Sequence, residues 1–174
     1  MTISISSSTE LYATVTDHLR SRPEQVAFLI ARALDQSSGG SLEVTDHLLL
    51  NPSDLVNDEW CVALSEKDQQ QVLDWAFLRD GWLIEAHSHI GWLGDPACMS
   101  ATDIAGLHSW VPHVRWRLQR RGYAALVFGN CTFDGLGWTG PLRGQPEQVA
   151  NWITPARINT ATQRSLRHLE DTNV

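Results

Sequence analysis

PEQVAFLIARAL, residues 23–34, is apolar on every side after Glu24 and Gln25 until Arg32. Pro23 suits a first helical position, the SSGG run at 37–40 ends the segment, and an all-round apolar surface marks a helix buried on every face. The reading is a buried helix, and it sets the layout expected of its neighbours. Upstream, Ser7 and Glu10 have capping-box spacing and Leu11, Val15 and Leu19 repeat every four residues, which predicts an amphipathic helix over roughly 8–20. Downstream, SLEVTDHLLL (41–50) and EWCVAL (59–64) read as strands paired antiparallel across a turn holding Asn51, Pro52, Ser53 and Asp54.

Ser65 and Asp68 open a second helix, whose Val72, Trp75 and Ala76 share a face until Asp80 and Gly81 stop it. WLIEAHSHI (82–90) is a strand, and Ser100 caps a helix running through Asp103, Leu107 and Trp110 toward Pro112. YAALVF (123–128) and TFDGLGW (132–138) form a strand pair across Gly129 and Asn130. GQPEQVANWI (144–153) and ATQRSLRHLE (161–170) read as short helices on the outside. With 174 residues and no repeat or linker, the expectation is a single domain over 1–174, its core at about 8–140 and a C-terminal extension at 141–174.

A net charge of −7 argues against nucleic acid as a partner, because neutralising phosphates needs a clustered excess of Lys and Arg, and membrane-surface binding is disfavoured likewise. Arg115, Arg117, Arg120 and Arg121 form a basic run that reads as a solvated face. Cys61, Cys98 and Cys131 are odd in number and far apart, so they build neither a disulfide framework nor a CxxC zinc cluster, and a reducing cytoplasm is expected. MTISISSSTELY lacks the features of a signal peptide, and no run approaches the roughly 18 apolar residues of a membrane span.

Chemistry concentrates in HSH at 87–89 and SATD at 100–103. On a strand, residues i and i+2 face the same way about 6.5–7 Å apart, so His87 and His89 can converge on one ion. A catalytic zinc takes three protein ligands and leaves a fourth position to water, and Asp103, on the first turn of the next helix, is the leading candidate for the third. Ser100 projects its hydroxyl toward the same mouth. Asp95 and Cys98 lie in the loop between and are rival donors. Glu85, two residues before His87, shares the strand face and is a candidate base or a carboxylate orienting His87. No HExxH is present, the deaminase pattern H-x-E with P-C-x-x-C fails, and a (β/α)₈ barrel needs about 250 residues.

HSH followed by SATD resembles the motif of the JAMM (MPN+) zinc metalloproteases, and within it the prokaryotic deubiquitinase-like branch. RPEQVAFLIAR resembles the family's phrase around its catalytic glutamate, with Ala27 and Ala31 at common glycine positions, and this aligns Glu24 with that residue. The chain departs from the pattern in the thirteen residues between His89 and Asp103, a longer spacer than usual, and in Ile90 where proline commonly follows the second histidine. The resemblance spans roughly residues 20–140. It implies an α/β (α+β) fold: one three-layer domain with a central mixed β-sheet flanked by helices.

It also implies one Zn²⁺ per chain on His87, His89 and Asp103, and hydrolysis of the amide after the C-terminus of a ubiquitin-like protein, in precursor maturation or deconjugation. Partners would be that protein or its conjugates, with E1- and E2-like enzymes. Glu24 would be the general base and Ser100 a donor to the oxyanion. Trp92 and Trp110, or Trp116, could wall a substrate groove. Two other readings stand beside this one: a scaffold or binding module of the same family without catalysis, and a zinc amidohydrolase acting on a small-molecule amide.

Overall fold

The structure, a computed structural model, describes residues 2–34, 40–51, 55–58, 61–89, 95–119, 121–139 and 144–172. In chain order the elements are β1 (Thr2–Ser6), α1 (Thr9–Leu19), β2 (Val26–Ala33), β3 (Ser41–Leu49), β4 (Leu55–Asp58), β5 (Cys61–Leu64), α2 (Glu66–Phe77) and β6 (Trp82–Ser88). Then come α3 (Ala101–Arg117), β7 (Tyr123–Phe128), β8 (Phe133–Trp138), β9 (Glu147–Ile153), β10 (Ile158–Thr160) and α4 (Arg164–Thr172). Strands pair in the order β1-β3-β2-β6-β7-β8-β9, and β9 returns to pair with β1. The sheet is therefore a closed seven-stranded barrel, with β10 continuing beside β9 and β4–β5 a separate hairpin. This corrects the expected three-layer domain with a central open sheet flanked by helices. Closure leaves no free edge along the seven strands, which removes the unpaired backbone groups an open sheet would carry.

The stretch at 23–34 is where the two architectures part. Val26–Ala33 is a strand, not a helix, and its first six residues are all buried. A strand covered on both faces shows no alternation of polar and apolar residues, so periodicity alone cannot separate it from a buried helix. Ala27, Leu29 and Ala31 point into a cluster fed by all seven barrel strands, including Ile3, Leu42, Ile84, Leu126 and Val149. Val26, Phe28 and Ile30 point outward into a second cluster with Leu73 of α2, Ile104 and Val114 of α3, and Leu169 of α4. One strand thus serves two cores.

Other expectations change with it. β3 pairs with β1 and β2, and β5 pairs with β4, so among the described residues the expected antiparallel pairing of 41–50 with 59–64 is not formed. Residues 147–153 are not a helix but β9, which closes the barrel, whereas 164–172 is helical as read. The N-cap of α1 is Ser8, whose hydroxyl accepts from Leu11 N–H. Ser7 instead takes the indole N–H of buried Trp152 on its Oγ at 2.8 Å. The antiparallel pairing of β7 with β8 agrees with the sequence.

Small residues make the barrel interior fit. A Cβ at Gly135 would meet Leu126 Cδ2 at 2.3 Å and Ala125 O at 3.0 Å, and one at Gly137 would meet Ile3 Cδ1 at 2.3 Å. Bulk from β1, β7 and β9 fills the space that β8 leaves. The basic run is a solvated face only in part: Arg117 is exposed and pairs with Asp74 at 3.1 Å, and Arg121 pairs with Asp80 at 2.9 Å, but Arg115 is buried with its Nε on Arg121 O, while Arg120 lies outside the described residues. Cys98 and Cys131 are free thiols. Among the described residues no helix is long and apolar enough to cross a membrane.

Candidate metal centre

Strand alternation on β6 sends Leu83, Glu85 and His87 outward, toward α3, and Ile84 and Ala86 into the barrel. His89 follows the strand end, where its N–H still donates to Phe128 O at 2.8 Å. Across from it α3 begins at Ala101 behind a complete capping box: Asp103 N–H donates to Ser100 Oγ at 3.2 Å, and Ser100 N–H donates to Asp103 Oδ2 at 2.6 Å. The cap that starts the helix also fixes the Asp103 carboxylate.

That carboxylate faces both imidazoles. Asp103 Oδ2 lies 3.3 Å from His89 Nε2 and 3.6 Å from His87 Nε2, and the two rings sit 5.0 Å apart, edge to face. One donor atom from each residue lies within 4.8 Å of the others, close enough for a single ion to touch all three. His87 Nε2 is buried and has no hydrogen-bond partner, which is costly for a polar atom unless something else satisfies it. Burial alone would push the Asp103 carboxyl up, yet His87 and His89 outweigh it and hold the group well below the usual carboxylate range. Burial pulls His87 down, and the Asp103 carboxylate, with Glu85 and Glu24, more than offsets this, so the imidazole titrates above its ordinary value. Two nitrogens and a carboxylate oxygen at this spacing are a donor set that a divalent metal accepts.

The rival donors of the loop are occupied elsewhere. Asp95 accepts from Thr132 Oγ1 at 2.5 Å and from the backbone N–H of Cys131 at 3.0 Å, and so braces the β7–β8 turn. The Cys98 thiol donates to Met99 O at 3.4 Å, and neither residue belongs to the metal-binding group among the described residues. Trp92 lies outside the described residues.

Glu24 precedes β2, on the chain segment beside β6, rather than on a helix. Its placement follows from Ser88, the residue between the two histidines: Gln25 N–H donates to Ser88 Oγ at 2.9 Å, and Ser88 N–H donates to Gln25 O at 3.1 Å. A cavity of about 460 Å³ brings Glu24, His87, His89, Ser100 and Asp103 to one space. Among the described residues the Ser100 hydroxyl accepts the cap bond and donates none.

Glu85 and Trp110 line the same cavity, whereas Trp116 is 69 % exposed and lies away from it. Glu85 does not orient His87. Its Oε2 takes the hydroxyl of Tyr123 at 2.6 Å and the indole N–H of Trp110 at 2.9 Å. Burial, then the adjacent Glu85 carboxylate, push the Tyr123 hydroxyl well above its ordinary value, so it stays a donor. Sequence reasoning passed over Tyr123, because its meeting with Glu85 depends on strand pairing between β6 and β7.

The C-terminal segment was also missed as a part of the site. Thr162 Oγ1 donates to Ala97 O at 2.5 Å, Met99 N–H donates to Ser165 Oγ at 3.0 Å, and the His168 ring lies 3.1 Å from Met99 O. These contacts hold the approach to Ser100. Buried Asp134 anchors α4 in turn, accepting from Arg164 N–H at 2.8 Å and Ser165 N–H at 2.7 Å on one oxygen, and from Gln163 N–H and Gln148 Nε2 on the other. No protein-family model matches the chain, and no curated protein matches it significantly.

Proposed function

We propose that the chain is a zinc-dependent amide hydrolase of the JAMM type, acting as an isopeptidase or peptidase on the bond after the C-terminus of a ubiquitin-like protein. The observation that carries the reading is the convergence of His87, His89 and Asp103 within 4.8 Å, with a buried, unpartnered His87 Nε2, at a cavity that also holds Glu24 and Ser100. The resemblance of HSH and SATD to the family motif supplies the substrate class, and E1- and E2-like enzymes would be the accompanying partners. His87, His89 and Asp103 would hold one zinc, which supplies Lewis-acid activation of water at neutral pH.

The chain's own groups perform the rest. Glu24 takes a proton from the attacking water and later returns it to the leaving amine. Ser100 gives its hydroxyl proton as a hydrogen bond to the carbonyl oxygen as charge builds there, a contribution of about 3 kcal/mol for comparable donors. A binding module that has shed its ligands would not keep this set together. A second reading, hydrolysis of a small-molecule amide, is favoured by the cavity itself, whose 460 Å³ lies in the size range of small-ligand sites, about 300–1,000 Å³. Free thiols at Cys98 and Cys131 suit the reducing cytoplasm we assign to it.

Purified protein should carry about one zinc per chain by elemental analysis, and His87→Ala or Asp103→Ala should remove it. Glu24→Gln should keep the metal and lose nearly all turnover on a ubiquitin-like fusion. Absence of zinc in the wild type rules the reading out; zinc with cleavage of small amides alone selects the second one.

A further inference from the structure

We propose that Glu85 is a recognition site for a cationic group, so that the enzyme selects amides carrying an ammonium or guanidinium roughly 7 Å from the scissile bond. The inference rests on the metal-dependent hydrolase reading and adds the part of the substrate that the motif does not specify. Glu85 and His87 are two residues apart on one face of β6, a separation of about 7 Å, comparable to the reach of an extended basic side chain.

The two oxygens of Glu85 are used unequally. Oε2 accepts from both Tyr123 and Trp110, while Oε1 accepts from no described residue, and the side chain lines the cavity. Two donors on one oxygen fix the carboxylate plane and leave the other oxygen as an acceptor of set direction. That is a built receptor for a donor arriving through the cavity. A partly buried carboxylate with no Lys or Arg beside it in the cavity's described lining gains from a cation through a charge-assisted hydrogen bond.

The charge balance of the cavity points the same way. Its described lining includes Glu24, Glu85 and Asp103 but no Lys or Arg. Asp103 is assigned to the metal and Glu24 to proton transfer, which leaves Glu85 as the carboxylate the chemistry does not use. Leu64, Leu107, Ala125 and Trp110 line the same cavity as Glu85 and the histidines. An aliphatic stem lies well against such walls while its charged end reaches the carboxylate.

The test compares lysine hydroxamate with norleucine hydroxamate, which share a metal-binding head and a stem of similar length and differ in the terminal ammonium. Binding to the zinc-loaded full chain by calorimetry should favour the lysine probe about tenfold or more. Glu85→Gln should abolish that preference. Equal affinities in the wild type overturn the proposal and leave the hydrolase reading standing, since the norleucine probe still reports the metal; this arm needs no variant. A preference that survives Glu85→Gln overturns it too. Failure of the chain to take up zinc brings down the hydrolase reading and this inference together.

Discussion

Ser88 shows how much one side chain can determine. The position between His87 and His89 turns inward, and its hydroxyl is the acceptor that ties Gln25, and with it Glu24, to the strand that carries both histidines. Ser88→Ala should leave zinc content unchanged while lowering turnover about tenfold to a hundredfold, because misplacing a reacting group by about 1 Å costs on that order. A variant that keeps full activity would remove Ser88 from the account of Glu24. The histidine–aspartate cluster gives a pH prediction for the metal-free protein. His87 has a raised pKa in the folded state, so its share of stability is complete below about pH 6.5 and drains away as pH rises through the folded value. Asp103 has a depressed one, so its share is complete above about pH 3.8 and is lost only as pH falls through the folded value. Metal-free Tm should therefore fall from pH 6 to pH 8, where protons compete less with zinc and the metal binds more tightly. The gap between zinc-loaded and metal-free Tm should widen over that interval in thermal melts; a constant gap contradicts the assignment.

At the scale of elements, α3 and α4 act as one support. The capping box that starts α3 also aims Asp103, while Thr162 just before α4 and Ser165 within it hold the backbone of Ala97 and Met99 that leads into α3. Asp134 is the joint: a fully buried carboxylate on β8 whose hydrogen bonds include three backbone N–H groups at the start of α4. Asp134→Ala leaves those donors unsatisfied, and a loss of roughly 3 kcal/mol in denaturant-unfolding stability is expected. Zinc affinity should weaken as well, since the loop before Ser100 loses its support. Unchanged affinity in a folded Asp134→Ala protein would separate α4 from the site.

For the whole molecule, closure is the governing fact. β1 at one end of the sequence pairs in parallel with β9 near the other, from Thr2 with Gln148 to Ser6 with Ile153, with a one-residue shift of register between Ile3 and Ser4. The interior cluster draws on Ile3, Ile5, Val149 and Trp152 from these two strands. Removing residues 141–174 should therefore do more than trim a tail: it exposes the edges of β1 and β8 and uncovers the interior. The truncated chain should lose its cooperative unfolding transition. A shortened protein that melts cooperatively near the wild-type temperature would show that the staves before β9 suffice.

How much was legible divides along the range of the interactions. Local signals identified the caps of α2 and α3, the face shared by Glu85 and His87 and the β7–β8 hairpin, because each is written within a few consecutive residues. The grouping of His87, His89 and Asp103 was expected from spacing alone, while zinc and the amide substrate remain proposals that spacing and resemblance suggest. The barrel was not legible. Whether Val26–Ile30 lies in a helix or a strand depends on what covers its two faces, and beside the neighbouring α1 those covers include α2, α3, α4 and β9, up to well over a hundred residues away in sequence. Tyr123 on Glu85 and Ser165 on Met99 are likewise decided by pairing and packing between distant segments. An apolar run states that it will be buried; only the assembled chain fixes what buries it, because apolar attraction is non-directional and backbone hydrogen bonds can be satisfied in either form.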